Sequence, residues 1–132
     1  MKTPVMISLL ALLASPALAD APAVAKPAPP RDCFFVNQFE GWKAPDDRTI
    51  FIRVNTNRFY RLDLASSCPT LKYPDAFLIT KTRGPDTVCT ALDWDLRVGQ
   101  SMPRGFSTPC IVKSMARMSP DEVAAIPKKF KP

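Results

Sequence analysis

The sequence predicts a mainly β protein: a small antiparallel sheet, or a partly open barrel, of about five to seven strands with one short C-terminal helix and two disulfides. Three observations carry this. Stretches such as "RTIFIRV" and "LDWDLRV" alternate apolar and polar residues with a period of two. The clearest helix start in the chain, "SPDEVAAI", comes only near the end. Four cysteines, Cys33, Cys68, Cys89 and Cys110, follow an export-like leader, and an even count in a small exported domain reads as bridges.

The chain opens "MKTPVMISLLALLASPALAD", with a basic Lys2, an apolar run from Val5 to Ala14, then Pro16 and the triplet Ala17-Leu18-Ala19. This is the layout of a signal peptide over 1–19, cut after Ala19. The run is shorter than the roughly 20 residues that span a bilayer, so no stable membrane anchor is expected. The nearest cysteine, Cys33, stands fourteen residues past Ala19, which argues against a lipid anchor there. The expected location is the periplasm, or outside the cell. Residues 20–31, "DAPAVAKPAPPR", are dominated by proline and alanine and read as an extended leader. The rest divides into one domain over 32–127, roughly 95 residues and enough for a single small core, and a basic tail over 128–132.

Within the domain, "CFFVNQF" (33–39) is an apolar run of β-formers that predicts a buried first strand. "EGWKAPDD" (40–47) has loop composition. "RTIFIRV" (48–54) puts Ile50, Ile52 and Val54 on one side, "NTNR" (55–58) is turn chemistry, and "FYRLDLA" (59–65) puts Tyr60, Leu62 and Leu64 inward. Together these predict a hairpin. After the loop "SSCPTLKYPD", "AFLITKT" (76–82) predicts a strand and "RGPD" (83–86) a turn. "TVCTALDWDLRV" (87–98) predicts one long strand or two short ones, with Leu92, Trp94, Leu96 and Val98 on the buried face. "GQSMPRGFSTPC" (99–110) has loop composition, with Met102 and Phe106 placed to cover one end of the core, and "CIVKSMARM" (110–118) starts as a strand. In "SPDEVAAI" Ser119 is the N-cap, Pro120 the first helical residue and Glu122 the third, a capping box, with Pro127 as the stop. So short a helix holds only if Val123 and Ile126 pack on the sheet.

The formal charge of +6 raises the question of nucleic acid, but its distribution answers it. Between Cys33 and Pro127 twelve lysines and arginines face ten acids, a net of +2. The remaining excess sits on the ends, including Lys128, Lys129 and Lys131, where it serves solubility or weak contact with anionic surfaces. No nucleic-acid partner is expected. The chain holds no histidine, which removes Cys/His zinc sites, the commonest general base and any Ser-His-Asp triad. There is no C-x-x-C redox motif. No cofactor or metal is expected.

Four cysteines allow three pairings, and sequence alone does not choose among them. The preferred pairing is nested, Cys33–Cys110 outside and Cys68–Cys89 inside, because Cys33 opens the first strand and Cys110 the last. Loop-closure entropy puts the inner bridge at about 3 kcal/mol and the outer at about 4.5 kcal/mol, as upper bounds.

Asp93 and Asp95 lie two residues apart, so on one strand they share a face at roughly 7 Å. Carboxylates near that spacing serve glycoside hydrolysis in other proteins, and calcium or substrate binding is a further use. On an exposed strand face, however, neighbouring arginines compensate them and they are a solvated surface. The leading functional expectation is therefore a non-catalytic secreted or periplasmic β domain that binds an envelope partner, with no oligomeric state indicated. Its contact residues are the loop aromatics Trp42 and Tyr73, whose alternative role is to cap the core. Two other readings stand behind it: an inhibitor of an envelope or host enzyme presenting the "SSCPTLKYPD" loop, and a carboxylate-dependent hydrolase using Asp93 and Asp95.

The stretches "DCFFVNQFEGW", "FYRLDLASSCPTL", "TVCTALDWDLRV" and "CIVKSMARMSPDEVAAI" span nearly the whole domain. In their cysteine order and the aspartate-bearing segment after Cys89 they resemble a family of short secreted proteobacterial proteins classed only as a domain of unknown function. The last stretch departs from that pattern, with Ile111 and Val112 where relatives carry a Leu-Gly pair. The resemblance implies an envelope location and a small β domain; it implies no activity.

Overall fold

The structure is a computed structural model that describes residues 32–101 and 105–132. The expected signal peptide (1–19), the proline-rich leader (20–31) and Met102 lie outside the described residues. Nine strands and one helix are present among those described: β1 (Phe34–Phe35), β2 (Phe39–Lys43), β3 (Thr49–Val54), β4 (Arg58–Leu64), β5 (Ala76–Thr82), β6 (Thr87–Val88), β7 (Trp94–Gln100), β8 (Ser107–Pro109), β9 (Val112–Arg117) and α1 (Pro120–Ala125). They form three antiparallel sheets, ordered β1-β6, β2-β3-β4-β9 and β5-β7-β8, with no closed barrel.

The alternating stretches behave as their period of two requires. Ile50, Ile52 and Val54 of β3 and Tyr60, Leu62 and Leu64 of β4 are all buried, and the two strands pair from Thr49↔Asp63 to Val54↔Arg58. Asn55 makes the turn with φ of 51°, the left-handed conformation asparagine tolerates. Trp94, Leu96 and Val98 supply the third sheet's share, and Phe34 and Val88 that of the small sheet, so one core serves all three. Tyr60 is 1% exposed. Burial, and after it the Asp32 carboxylate, push its phenol above its ordinary pKa.

The helix forms as its cap predicts. Ser119 Oγ accepts the Glu122 N–H at 3.3 Å, and the Glu122 carboxylate accepts the Ser119 N–H at 2.6 Å. Ile126 is buried and Val123 half-buried, which anchors the short element.

Five expectations need correction. The run 33–39 is not one strand: β1 stops after two residues, and Val36–Gln38 make a 3₁₀ turn. The Gln38 side-chain carbonyl closes that turn by accepting the Phe35 N–H at 3.0 Å, and it also accepts from Arg58 at 3.2 Å. The supposed loop after it is partly strand, since β2 pairs Trp42 with Ile52 beyond a register shift between Phe39 and Gly41. In the stretch 87–98, Ala91–Asp93 form a second 3₁₀ turn between β6 and β7. That turn throws Leu92 outward, 78% exposed, instead of onto the buried face. Phe106 covers nothing: it is 69% exposed, ahead of a short strand β8 that the loop composition concealed.

The fifth correction is the disulfide pairing. The bridges are Cys33–Cys89 and Cys68–Cys110, crossed in sequence rather than nested. The nested choice assumed that the first and last strands meet. Instead β1 pairs with β6, Phe34 opposite Val88, and this sets Cys33 beside Cys89. Cys110 donates its N–H to Leu96 O at 3.0 Å on β7, and Thr70 Oγ1 donates to Thr108 Oγ1 at 3.2 Å, which brings the Cys68 loop to Cys110.

A cleft of aromatic and cationic side chains

β2 ends at Lys43, one residue past Trp42, whose ring is half-buried against the core. Opposite it the Cys68 loop is held in place from three sides. The Cys68–Cys110 bridge fixes its start. Cys68 N–H donates to Asp47 O at 2.7 Å, Ser67 Oγ donates to the Asp47 carboxylate at 2.8 Å, and Lys72 Nζ lies 3.3 Å from that carboxylate. The Ser67 hydrogen bond, and the Lys72 ammonium more weakly, outweigh desolvation and hold the Asp47 carboxyl below its ordinary pKa. Pro69–Lys72 then make a 3₁₀ turn that buries Leu71, and its capping residue Tyr73 is left 54% exposed.

The C-terminal segment closes the third side. After α1, Lys128–Phe130 form a 3₁₀ turn in which Phe130 N–H donates to Pro127 O at 2.8 Å. Lys129 Nζ stands 4.7 Å from the centroid of the Phe130 ring. Trp42, Tyr73 and Phe130 line one open cleft of about 390 Å³ together with Leu71, Pro74, Ala76, Lys43 and Lys129. Among the described residues no carboxylate lines it. The two aromatics singled out from the sequence are therefore brought together, although Trp42 stands on a strand and not in a loop. Phe130 and Lys129 were missed. Their signal was an aromatic among lysines directly after a helix stop, in "PKKFKP".

A larger cleft of about 690 Å³ lies beside α1, lined by Phe59, Arg117, Met118 and Val123 among others. Arg117 is already engaged there by Asp32 at 3.1 Å. Neither Trp42 nor Tyr73 reaches this cleft.

The two aspartates are parted. Asp93 ends the 3₁₀ turn, and its Oδ2 accepts the Cys89 N–H at 2.8 Å, the Thr90 N–H at 2.7 Å and the Thr90 hydroxyl at 3.1 Å. Asp95 stands on β7 opposite Lys81 of β5. Asp93 is thus the cap of its own turn. Asp93→Ala leaves two backbone donors without their acceptor and is expected to cost about 1–2 kcal/mol, while Asp95→Ala stays within about 0.5 kcal/mol of the parent. Chemical denaturation of the two variants checks this, and equal losses would contradict the capping role. Among the described residues no group of three or more Cys, Asp or Glu side chains is arranged to hold a metal ion.

Fold and cleft together define a small two-disulfide β domain with an aromatic, cation-flanked surface site. The chain belongs to DUF6491, a family of unknown function, whose model matches residues 1–130. This bears out the resemblance carried by its cysteine order. No curated protein and no solved structure matches the chain. Two disulfides, and among the described residues no helix long and apolar enough to cross a membrane, fit a secreted or periplasmic protein.

Proposed function

We propose that the protein is exported by a signal peptide over 1–19 and serves in the cell envelope as a binding domain, with the Trp42–Tyr73–Phe130 cleft as its contact site. One observation supports this reading above the others: three aromatic side chains from three separate segments converge on one cleft with two lysines and, among the described residues, no acid. Aromatic side chains anchor interfaces because they offer large, stiff contact area with few rotors to freeze. The lysines select for negative charge and speed encounter with it. The partner is accordingly an anionic envelope component with apolar or ring-shaped parts.

A photo-crosslinking amino acid at Tyr73, in the full chain expressed in intact cells, tests the proposal. It should give a discrete adduct that Trp42→Ala, or Lys43→Glu with Lys129→Glu, reduces at least about tenfold. The same probe at Leu92, more exposed than Tyr73 and on another turn, should not give that adduct. Adducts at Tyr73 that are indifferent to both sets of substitutions would remove the cleft from consideration.

A further inference from the structure

An edge strand presents unpaired N–H and C=O groups to any chain able to continue the sheet. Three of the four edges of the larger sheets are blunted. β2 carries the register shift at Phe39/Gly41 together with Glu40 and Lys43. β8 is three residues long and ends in Pro109. β9 bears Lys113 and Arg117. β5, "AFLITKT", carries fewer such devices, with neither a proline nor a register shift. It runs seven residues with Lys81 as its one charge and no proline, and it pairs with β7 without a break from Ala76↔Gln100 to Thr82↔Trp94.

The register decides which backbone groups are free. Arg83 N–H donates to Asp93 O at 3.0 Å, one step beyond the last paired residues of β5 and β7. Bonded and non-bonded pairs alternate in an antiparallel ladder. Phe77, Ile79 and Lys81 therefore turn their N–H and C=O toward β7, and Leu78, Thr80 and Thr82 turn theirs away. Ala76 N–H, on the outward side, is taken by Tyr73 O at 3.1 Å. The outward groups of Leu78 and Thr80 have no partner among the described residues. On the outer face Phe77 is 43% exposed, and its ring lies across Gly99, where an added Cβ would stand 2.5 Å from the ring's Cζ. The glycine thus seats the ring flat on β7.

We infer that β5 is a dimerisation edge on which a second copy of this chain lays its own β5 antiparallel, about a two-fold axis through Ile79. The full-overlap register is self-complementary. Leu78 of each copy meets Thr80 of the other as a hydrogen-bonded pair, using outward groups that the β7 ladder leaves free. Ile79 meets itself at the axis. Lys81 falls opposite the Phe77 ring, a cation–π pair made twice, and not opposite another lysine. A peptide of different sequence gains the backbone bonds but not these reciprocal side-chain pairs.

Sedimentation velocity on the full chain as exported, up to about 100 µM, tests the inference and should show a dimer. Thr80→Pro removes an N–H that the β7 ladder does not use, so the fold should survive while two interchain bonds are lost and dimer affinity falls at least about tenfold. Ile79→Lys sets two ammonium groups at the axis and should give monomer as well, with its far-UV spectrum unchanged; it decides the matter if Thr80→Pro fails to fold. A native chain that sediments as monomer over the whole range, or a dimer that survives both substitutions, overturns the inference.

Discussion

Replacing Cys68 and Cys110 together by alanine is expected to lower the melting temperature by on the order of 20 °C. The bridge closes a loop of sequence separation 42. Chain entropy alone values that closure at about 4 kcal/mol. Both half-cystines are buried, at 2% and 3% exposure, so their removal also thins the core. A domain of this size holds only about 5–15 kcal/mol of net stability, so most of its margin rests on this bond and its partner. Circular dichroism melts of the double variant and the parent measure the effect. A shift under about 5 °C would mean that the sheets carry the fold by themselves. Peptide mapping without reduction is an independent check, since it should recover Cys33 with Cys89 and Cys68 with Cys110. The second bridge, with sequence separation 56, has a similar entropic value of about 4 kcal/mol, but it joins two half-buried residues and removes less packing when lost.

How much of this was legible from the residues depends on the range of the interaction. The β3–β4 hairpin, β5, β7 and α1 were legible because their signals are local: alternation against one buried face, asparagine at a left-handed turn, and a hydroxyl with a glutamate three residues on. The two 3₁₀ turns were not. "CFFVNQF" and "TVCTALDWDLRV" both read as strand, and what bends them is one side chain each, Gln38 and Asp93, reaching back to backbone donors. Propensity does not register a single such bond. The pairing of the cysteines was hidden for a different reason. It follows from β1 meeting β6, a contact between two-residue strands 50 or so positions apart, whose specificity comes from the tertiary core and not from either strand.

The candidate site divides in the same way. Trp42 and Tyr73 stood out as aromatics in hydrophilic, proline-bearing surroundings. Their meeting required the Cys68–Cys110 bridge, the Asp47 clamp on Ser67, Cys68 and Lys72, and the return of the chain at Phe130. The aspartate pair misled in the opposite sense. A spacing of two implies one face only if the backbone is extended at both residues, and at Asp93 it is not.

Phe34→Ala is expected to cost about 3–5 kcal/mol, because this one ring joins all three sheets. Phe34 belongs to β1 of the two-stranded sheet and is 2% exposed. Its ring centroid lies 5.0 Å from that of Tyr60 in the four-stranded sheet and 6.0 Å from that of Trp94 in the three-stranded one, both in tilted contact. Tilted aromatic pairs at these distances add about 0.5–1.5 kcal/mol each beyond the area they bury. Truncation therefore loses two such pairs and opens a cavity where the sheets converge. The Cys33–Cys89 bridge keeps β1 tethered to β6 but supplies no apolar volume, so it does not compensate. Phe35 is the internal control: the next residue, with the same side chain, points outward at 55% exposure, and Phe35→Ala should cost less than about 1 kcal/mol. Urea unfolding of the two variants, followed by tryptophan fluorescence, measures the difference directly. If the two lose comparable stability, the sheets are not held together through the ring of Phe34, and the core has to be divided into separate units that pack without it.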